Sequence, residues 1–381
     1  MIERNVVIIG GGSTGLAVGY YLEQLGVEDV TILEQNYAGS GATGRCGTGI
    51  RAQFSDEPTI KTMKRAEDLW EELAGELDFD FLRTGYLYLH HTEEALEKYR
   101  EMKDLQNSLG VPTEILTPGE AKEICDPVDV SGLEGASYNP EDGKAHPFAV
   151  VAGFKRYFQS SRIELEEGTK VENIQSRGSE KVKVVETTGE DYRAEVLVNA
   201  AGGWAPKVAG MMGLDLPIEP YRHQAIITEP VHQGTIEPMV ISMEHEDAYM
   251  TQTERGGIIC GVGTPEDEPP TYNTAETLGF ERRVSRAMGS IAPDLKHTRI
   301  LRHWAGYYAM SPDGNPLIGE YGPAGCYLAA GFSGHGYMMA PAVGRGLAQI
   351  ISRGETDFPF DYYDPARIDR GELREGALQM G

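Results

Sequence analysis

Three glycines near the start of the chain have the spacing of a phosphate-binding turn. Gly10, Gly12 and Gly15 follow the apolar run NVVII, and the run LAVGYYLEQLG behind them has helical spacing. Such glycines allow a tight turn, a close approach of backbone N–H groups to a pyrophosphate, and close packing of helix on strand. The positive end of the helix dipole also favours phosphate. The pattern predicts a dinucleotide site with Ser13 and Thr14 inside the turn.

An acidic residue stands where such a site needs an acceptor for ribose hydroxyls. Glu34 ends the second apolar run, VTIL, 19 residues after Gly15, which is the spacing expected of a Rossmann-type β-α-β unit. The alternatives are a glycine-rich turn without a ligand and, for Glu34, a solvated carboxylate at a strand end. The fingerprint alone does not distinguish FAD from NAD.

Two further segments of small residues favour FAD. VLVNAAGGWA, from Val196 to Ala205, is an apolar strand that ends in small residues and could pack beside a nucleotide. GFSGHGYMMAP, from Gly331 to Pro341, is a glycine-rich turn that opens a helix. Its N–H groups could stabilise negative charge on a reduced flavin ring. Tight packing alone would also require small residues in both segments.

The order of the predicted elements indicates a nucleotide domain built from separate segments. Rossmann-like pieces stand at the start, in the middle and at the end of the chain, with strand-rich segments between them. We predict an α/β plus α+β fold, in which a discontinuous Rossmann-like FAD-binding domain carries an inserted, mainly antiparallel β-sheet substrate domain. The predicted boundaries are 1–80, 145–215 and 310–365 for the FAD-binding domain, 81–144 and 216–309 for the substrate domain, and 366–381 for a C-terminal tail.

Composition limits the possible partners and sites. The chain of 381 residues has a formal charge of −25, which disfavours binding to nucleic acid or anionic lipid. Its four cysteines form no C-x-x-C pair, which argues against a zinc or iron–sulfur site and against a disulfide framework. The chain shows neither a secretory signal nor an apolar run of membrane length. We therefore expect a soluble, cytoplasmic protein without a metal.

Motifs beyond the glycine fingerprint resemble one flavoprotein family along almost the whole chain. The segments that carry the resemblance are SGATGRCGTGIRAQF (40–54), TGYLYL, NPEDGKAHPF, IEPYRHQAIITEP, AYMTQT, GGIICGVG, LRHWAGYYAMSPDGNPLIG, AAGFSGHGYMMAPAVG and GELREGALQMG. In this order they resemble the D-amino-acid oxidase superfamily, in the branch of the glycine and sarcosine oxidases. Within that branch the likeness is to the β subunits of archaeal dye-linked L-proline dehydrogenases.

The resemblance implies a set of contacts to FAD. The glycine fingerprint would hold the pyrophosphate, Glu34 the ribose, and the backbone of Val171 the adenine. Gly306 stands where monomeric sarcosine oxidases have the cysteine that tethers FAD, so non-covalent FAD is implied. The complete set of implied contacts is Gly10, Gly12, Ser13, Thr14, Gly15, Glu34, Gln35, Gly41, Ala42, Thr43, Arg45, Cys46, Gly47, Val171, Ala201, Gly202, Trp204, Gly306, Gly331, Gly334, His335, Gly336, Tyr337 and Met338.

Departures from the family pattern bear on how a substrate would be held. Tyr308 and Met338 stand where relatives have the arginine or the lysine that binds the substrate carboxylate. A carboxylate still favours a guanidinium partner, and Arg51 in GTGIR is our first candidate for that role. His223, Tyr249 and Tyr308 are predicted to assist at the catalytic site.

The resemblance implies hydride transfer from the carbon beside an amine nitrogen to FAD N5, with L-proline oxidised to pyrroline-5-carboxylate. Oxidases of the family place a lysine over the flavin, and GIICGVG contains none. Electrons are therefore expected to pass to an α-type partner subunit, a carrier or a dye rather than to O₂, and an FMN at the subunit interface is implied. His146 lies one position out of register with the histidine that binds FMN covalently in sarcosine oxidase β subunits.

Three alternatives to this function stay open. The chain could be a dehydrogenase or oxidase subunit for sarcosine or another secondary amine. It could be a non-catalytic flavin scaffold or electron-transfer subunit. It could also be an NAD-dependent dehydrogenase that uses only the glycine fingerprint.

Overall fold

The computed structural model describes residues 1–176, 182–265 and 267–374. Its strands in chain order are β1 (Ile2–Ile9), β2 (Val30–Glu34), β3 (Gly49–Ile50), β4 (Phe81–Leu82), β5 (Tyr86–His90), β6 (Glu114–Leu116), β7 (Gly135–Asn139), β8 (Gly143–Ala145), β9 (Ile163–Glu167), β10 (Val171–Ser176), β11 (Lys183–Thr187), β12 (Tyr192–Asn199), β13 (Glu219–Thr228), β14 (Met239–Ser242), β15 (Ala248–Gln252), β16 (Ile258–Gly261), β17 (Ile300–Met310), β18 (Leu317–Glu320) and β19 (Cys326–Ala330). Its α-helices are α1 (Ser13–Gln24), α2 (Glu57–Leu77), α3 (Glu93–Ser108), α4 (Pro118–Ile124), α5 (Pro147–Phe158), α6 (Ala205–Met211), α7 (Leu278–Ile291) and α8 (Gly336–Arg353).

The first sheet is built around parallel strands that are buried on both faces. β1 pairs in parallel with β2 and β12, β9 extends the sheet beyond β2, and β19 extends it beyond β12. Val6 and Ile8 pack into one core with α1 and α8, whereas Val7 and Ile9 pack into another with α6 and the β10–β11 hairpin. A strand covered on both faces must be apolar throughout, as NVVII is. The sheet confirms the predicted Rossmann-like part of the fold.

The second sheet has the order β17-β13-β16-β15-β14-β5-β7-β6. Among the described strands every pairing in it is antiparallel except that of β14 with β5. Side chains alternate along β5, so Leu87 and Leu89 face a core beneath α7 while Tyr86 and Tyr88 face α3. This confirms the predicted, mainly antiparallel second part of the fold.

A small three-stranded sheet, β3-β8-β4, is also present and was not predicted. Its strands have only two or three residues each, so they offer no periodic pattern. β3 ends at Ile50, directly before Arg51. The small sheet therefore fixes where the GTGIR segment runs.

The segment predicted as a C-terminal tail begins in a packed 3-10 helix, Pro365–Arg367. The guanidinium of Arg367 is completely buried and lies 2.9 Å from Asp313, in the SPDG turn. Residues 375–381 of the predicted tail lie outside the described ranges. No helix in the described part of the chain has the length and apolar character needed to cross a membrane.

Candidate active site

The glycine turn after β1 opens into a long cavity. Gly10 has a φ of +116°, and a Cβ there would lie 2.4 Å from the carbonyl oxygen of Ala200. A Cβ on Gly15 would lie 2.0 Å from the carbonyl oxygen of Gly10. Only glycine therefore lets α1 begin this close to the two central strands. Gly12, the N-cap residue of α1, borders the cavity and has no side chain with which to cap the helix, so the helix end suits an anion.

Glu34 ends β2 beside this turn and also borders the cavity. Its Oε2 accepts a hydrogen bond from Gly11 N at 2.9 Å, and its Oε1 accepts one from Asn36 N at 2.9 Å. Oε1 also accepts a hydrogen bond from Ser40 Oγ at 3.3 Å. These bonds fix the carboxylate, and Oε2 keeps a further lone pair for a ribose hydroxyl. Val171 and Gln35 line the same end of the cavity, so this end suits a nucleoside.

The segment 40–47 crosses the middle of the cavity and joins the two large sheets. Thr43 Oγ1 accepts a hydrogen bond from Ser13 N, at the start of α1, at 3.0 Å. Arg45 donates through Nε to the carbonyl of Ser40 at 3.3 Å and through Nη1 to the carbonyl of Ala305, on β17, at 2.9 Å. The segment is thus held by the first sheet on one side and by the second sheet on the other.

A second helix begins at the far end of the cavity. α8 starts at Gly336, and its N-cap residue His335 makes no side-chain capping bond. Ser333, just before it, has a left-handed φ of +49°. A Cβ on Gly334 would lie 2.9 Å from the ring of Tyr308, so the turn brings backbone against that ring. The positively polarised helix end can stabilise negative charge in this part of the cavity.

Arg51 lies behind this turn and not on the cavity surface. Its side chain is 3% exposed, Nη1 donates to the carbonyl of Gln53 at 2.6 Å, and Nη2 lies 3.1 Å from His335 Nε2. The guanidinium carbon lies 4.1 Å from the centre of the Phe54 ring. Because a guanidinium only donates, His335 Nε2 must accept. Arg51, our first candidate for the carboxylate clamp, therefore lies one layer behind the cavity wall.

Three stacked rings form a wall beside the turn that begins α8. The ring of His223, on β13, lies 4.3 Å from that of Tyr308 and 5.9 Å from that of Tyr249, nearly parallel to both. Burial lowers the pKa of His223 to about 4 and raises the pKa values of both tyrosines well above the ordinary value. All three groups are therefore uncharged at neutral pH. Among the described residues none hydrogen-bonds His223 Nε2, which leaves that nitrogen available to a ligand.

Cys46 and Gly47 border the cavity next to this wall. A Cβ on Gly47 would lie 2.8 Å from the ring of Tyr249, so the backbone passes directly over the ring. Burial raises the pKa of the Cys46 thiol to about 12. The thiol is therefore protonated at neutral pH and is a poor nucleophile.

Most of the predicted site residues meet at this cavity. Those that border it are Gly10, Gly12, Ser13, Thr14, Glu34, Gln35, Gly41, Ala42, Thr43, Arg45, Cys46, Gly47, Val171, Ala201, Gly202, Trp204, Gly306, Gly334, Gly336, Tyr337, His223, Tyr249 and Tyr308. Those that lie behind its surface are Gly15, Arg51, Gly331, His335 and Met338.

Several cavity residues were not among the predicted contacts, including Ser40, Lys207, Tyr307 and Ser333. Lys207 lies in the first turn of α6, three residues after Trp204, and a cation directly behind a nucleotide-binding strand is a usable signal. The ring of Tyr307 meets Trp204 edge-on at 5.2 Å. Tyr307 reaches the cavity because β17 pairs with β13, and the local sequence does not specify this pairing.

The lining has the chemistry that FAD requires. The α1 N-terminus would hold the pyrophosphate, with Arg45, Lys170 and Lys207 as the cations that border the cavity, and Glu34 and Val171 would hold the adenosine. The N-terminus of α8 and the neutral aromatic wall would hold the isoalloxazine ring. The glycines that border the cavity leave backbone exposed where a flat ring or a phosphate can approach it closely.

Known proteins resemble the chain over nearly its whole length. The model of the FAD dependent oxidoreductase family, DAO, matches residues 5–350. Sarcosine oxidase subunit beta of Rhodobacter capsulatus is 28% identical over 99% of this chain and 91% of its own length. Glycine oxidase of Geobacillus kaustophilus is 27% identical over 93% of this chain and 94% of its own length.

Among solved structures, L-proline dehydrogenase from P. horikoshii superposes with a TM-score of 0.94 at 44% sequence identity, covering 98% of this chain and 100% of that one. Glycine oxidase from Geobacillus kaustophilus superposes with a TM-score of 0.87 at 25% identity, covering 96% of this chain and 99% of that one. The family match confirms the prediction of FAD over NAD. Because that match spans most of the residues, the chain belongs to the FAD dependent oxidoreductase family, and FAD is its cofactor.

Proposed function

We propose that this protein is an amine dehydrogenase and that its substrate is L-proline. The observation that carries the proposal is the end-to-end likeness, at 44% identity, to the structure described as L-proline dehydrogenase. The curated relatives named as sarcosine oxidase subunits and glycine oxidase act, by those names, on small amines. A cavity end walled by uncharged hydrogen-bonding groups suits a substrate of this class.

Oxidation of L-proline to pyrroline-5-carboxylate breaks one C–H bond at the carbon beside nitrogen and forms a C=N double bond. Bound FAD supplies the acceptor for the hydride. The nitrogen must lose its ammonium proton before the hydride leaves, and it loses a second proton when the iminium becomes the imine. The protein contributes by orienting the amine and by excluding water from the reacting atoms.

His223 is suited to face the substrate nitrogen because it carries no charge. A protonated imidazole would repel the substrate ammonium, whereas the neutral ring can accept a hydrogen bond from N–H. With its pKa lowered by burial, His223 is a weak base, so it orients the amine and leaves most proton release to solvent. The phenol groups of Tyr249 and Tyr308, which burial keeps protonated, are the proposed donors to the substrate carboxylate.

We also propose that the electrons leave for a partner or a dye and not for O₂. The segment 257–263 contains no lysine. A Cβ on Gly261 would lie 2.4 Å from the ring of Tyr249, so the tyrosine ring fills the space that a side chain at Gly261 would need. A cation over the flavin from this position of β16 is therefore incompatible with the observed wall.

A partner subunit is part of the proposal because several relatives are named as β subunits. FMN at the subunit interface is included because the resemblance of the sequence motifs implies it. An exposed aromatic surface borders the segment 40–47. Tyr37 is 57% exposed and Phe148 is 50% exposed, and a Cβ on Gly44 would lie 3.0 Å from the Phe148 ring. The ring of His146 lies 6.0 Å from that of Phe148. A partner docked here would be close to the middle of the cofactor cavity.

An anaerobic titration of the FAD-loaded protein tests the substrate. We expect L-proline to bleach the visible flavin spectrum, and sarcosine and D-proline to leave it unchanged. Bleaching by sarcosine but not by L-proline would support the secondary-amine alternative. A spectrum that no amine alters would support the scaffold alternative.

Tyr308→Phe tests the catalytic wall. Loss of a hydrogen bond to a charged substrate group costs roughly 1.5–3 kcal/mol, so flavin reduction by L-proline should fall about ten- to hundredfold in kcat/KM. Tyr221→Phe, two residues from His223 on β13, removes an exposed hydroxyl that bonds Glu219 and should leave the rate unchanged. Equal rates in wild type and Tyr308→Phe would remove Tyr308 from the site.

A further inference from the structure

Two buried carboxyl groups lie behind Arg51, outside the cavity. Glu67 on α2 and Asp142 in the turn between β7 and β8 are both 0% exposed. Asp142 Oδ1 accepts a hydrogen bond from Ala52 N at 2.8 Å, and Oδ2 accepts one from Gln53 Nε2 at 2.9 Å. These two donors belong to the residues that directly follow Arg51, so Asp142 holds the segment that carries it.

The carboxyl group of Glu67 has fewer hydrogen-bond partners than that of Asp142. Within the described ranges no donor hydrogen-bonds either of its oxygens. The ammonium of Lys64 lies 3.7 Å away and is nearer to Glu141, at 2.5 Å. Burial, and next the neighbouring Asp142 carboxylate, raise the pKa of Glu67 well above its ordinary value. Two ionised carboxylates in contact and out of water would be strongly unfavourable.

We propose that Glu67 and Asp142 share one proton, carried by Glu67, and that this pair positions Arg51 and through it the turn that begins α8. Gln53 is held twice, because Asp142 bonds its side chain while Arg51 bonds its carbonyl. Arg51 in turn contacts His335, the N-cap of α8. The pair therefore acts on the cavity from two layers away, as positioning residues.

The charges around the pair determine what its titration would do. Burial raises the pKa of Asp142, while the hydrogen bonds that its carboxylate accepts from Gln53 and Ala52, and then the charge of Arg51, act in the opposite direction. On the solvent side Lys64 is paired with Glu141 and Arg83 with Glu71 at 2.8 Å. Loss of the Glu67 proton at high pH would add a negative charge whose nearest cation is Lys64, 3.7 Å away and already paired more closely with Glu141. The Gln53–Arg51 arrangement should then loosen as pH rises.

Infrared spectroscopy of the FAD-loaded protein tests whether the proton is shared. At neutral pH the wild type should show the carbonyl-stretch band of a protonated carboxyl group. Glu67→Gln should abolish this band while its amide still donates to Asp142. Glu71→Gln, an exposed site one turn further along α2, should keep the band. A band that survives in Glu67→Gln would overturn the assignment.

Kinetics test the positioning role, and this part rests on the proposed function. Displacement of a positioned group typically costs about ten- to hundredfold, so Asp142→Asn should lower kcat/KM for L-proline by that factor. Asp126→Asn, which changes an exposed aspartate, is the control. The wild type should lose activity at alkaline pH, whereas Glu67→Gln should keep it. This comparison of pH profiles tests the positioning role even if Asp142→Asn does not fold.

The outcomes separate the two proposals. If Glu67→Gln and wild type have the same alkaline pH profile, the pair does not position the site. If the wild type oxidises no amine, the proposed function fails, whereas the infrared comparison still decides whether the proton is shared. If the alkaline pH profiles agree and the wild type also oxidises no amine, the acid pair is a structural feature only.

Discussion

The groups that face the reacting end of the cavity are uncharged, and the charges stand one layer behind them. Burial keeps His223 deprotonated and Tyr308 protonated, while Arg51 and the buried carboxyl group of Asp142 lie behind the wall. Hydride transfer needs orientation and a dry site more than it needs a strong acid or base. Neutral hydrogen-bonding groups at the surface, with the Arg51 guanidinium held one layer behind them, meet both needs.

The lowered pKa of His223 predicts a loss of stability in acid. Its pKa is about 4 in the folded protein, against 6.5 for a histidine in water, so the unfolded chain binds more protons between these values. Lowering the pH through this window therefore favours unfolding. His223→Gln should reduce the acid-induced loss in the free energy of unfolding, between pH 7 and pH 4.5, by at most about 3 kcal/mol. Denaturant unfolding of the flavin-free protein at the two pH values measures this.

His90 provides the matched control for His223. Burial lowers its pKa to about 4 as well, but it lies on β5 and contacts Ser137 at 3.2 Å, away from the cavity. His90→Gln should relieve the acid sensitivity similarly without slowing flavin reduction by L-proline. If the two variants slow reduction equally, His223 has no special contact with the substrate.

Residue types identified the nucleotide end of the site more readily than the substrate end. The fingerprint glycines and Glu34 are set by local geometry, because a β-α-β turn leaves few alternatives at Gly10 and Gly15. Arg51 has the right chemistry for a carboxylate, yet its side-chain direction depends on β3 and on its contact with His335. Such contacts link distant parts of the chain, and the sequence near Arg51 does not specify them.

At the level of elements, the contact of α1 with α8 brings the two helix N-termini to one cavity. A Cβ on Gly344 would lie 2.6 Å from the Cβ of Ala17. The two helices therefore approach through small residues, which set the distance between their axes. α8 can reach the flavin end only because it packs this closely on α1.

Alanine substitutions at two helical glycines test this packing. Gly344→Ala should lower the free energy of unfolding by about 1–3 kcal/mol, because the added methyl group overlaps Ala17. Gly75→Ala, at a site on α2 with nothing within 4 Å of its Cβ, should raise it by about 0.5–1 kcal/mol. Denaturant unfolding compares both variants with wild type. Stabilisation by both would show that α1 and α8 separate easily.

Long elements with a clear period were predictable, whereas short ones were not. The helical spacing of LAVGYYLEQLG corresponds to α1, and the apolar runs VTIL and VLVNA correspond to β2 and to the end of β12. β3, β4 and β8 have two or three residues each, too few for a period to show. These short strands exist because the large sheets bring their backbones together, so only the tertiary structure specifies them.

At the scale of the whole molecule, the cavity lies between the two large sheets. The first sheet provides the α1 turn, Glu34 and Val171, and the second provides β13, β15 and β17 with the aromatic wall. The separate segments that form the first sheet, at 2–34, 163–199 and 317–330, follow from the alternation of patterns along the chain. How the second sheet faces it follows from the segment 40–47, whose hydrogen bonds to α1 and to β17 the local sequence does not specify.

FAD should therefore protect both sheets from hydrogen exchange, whereas ADP should protect only one. ADP carries the adenosine and the pyrophosphate, whose predicted contacts lie at α1, Glu34 and Val171. FAD also reaches the wall, so it should slow exchange in Glu219–Thr228 and Ile300–Met310 as well. At a concentration of about 100 times its Kd, each ligand should stabilise the folded protein by about 2.7 kcal/mol. Because this overall gain is then equal for FAD and ADP, any remaining difference in exchange reports the different contacts of the two ligands. Protection of β13 and β17 by ADP, or its absence with FAD, would place the flavin elsewhere.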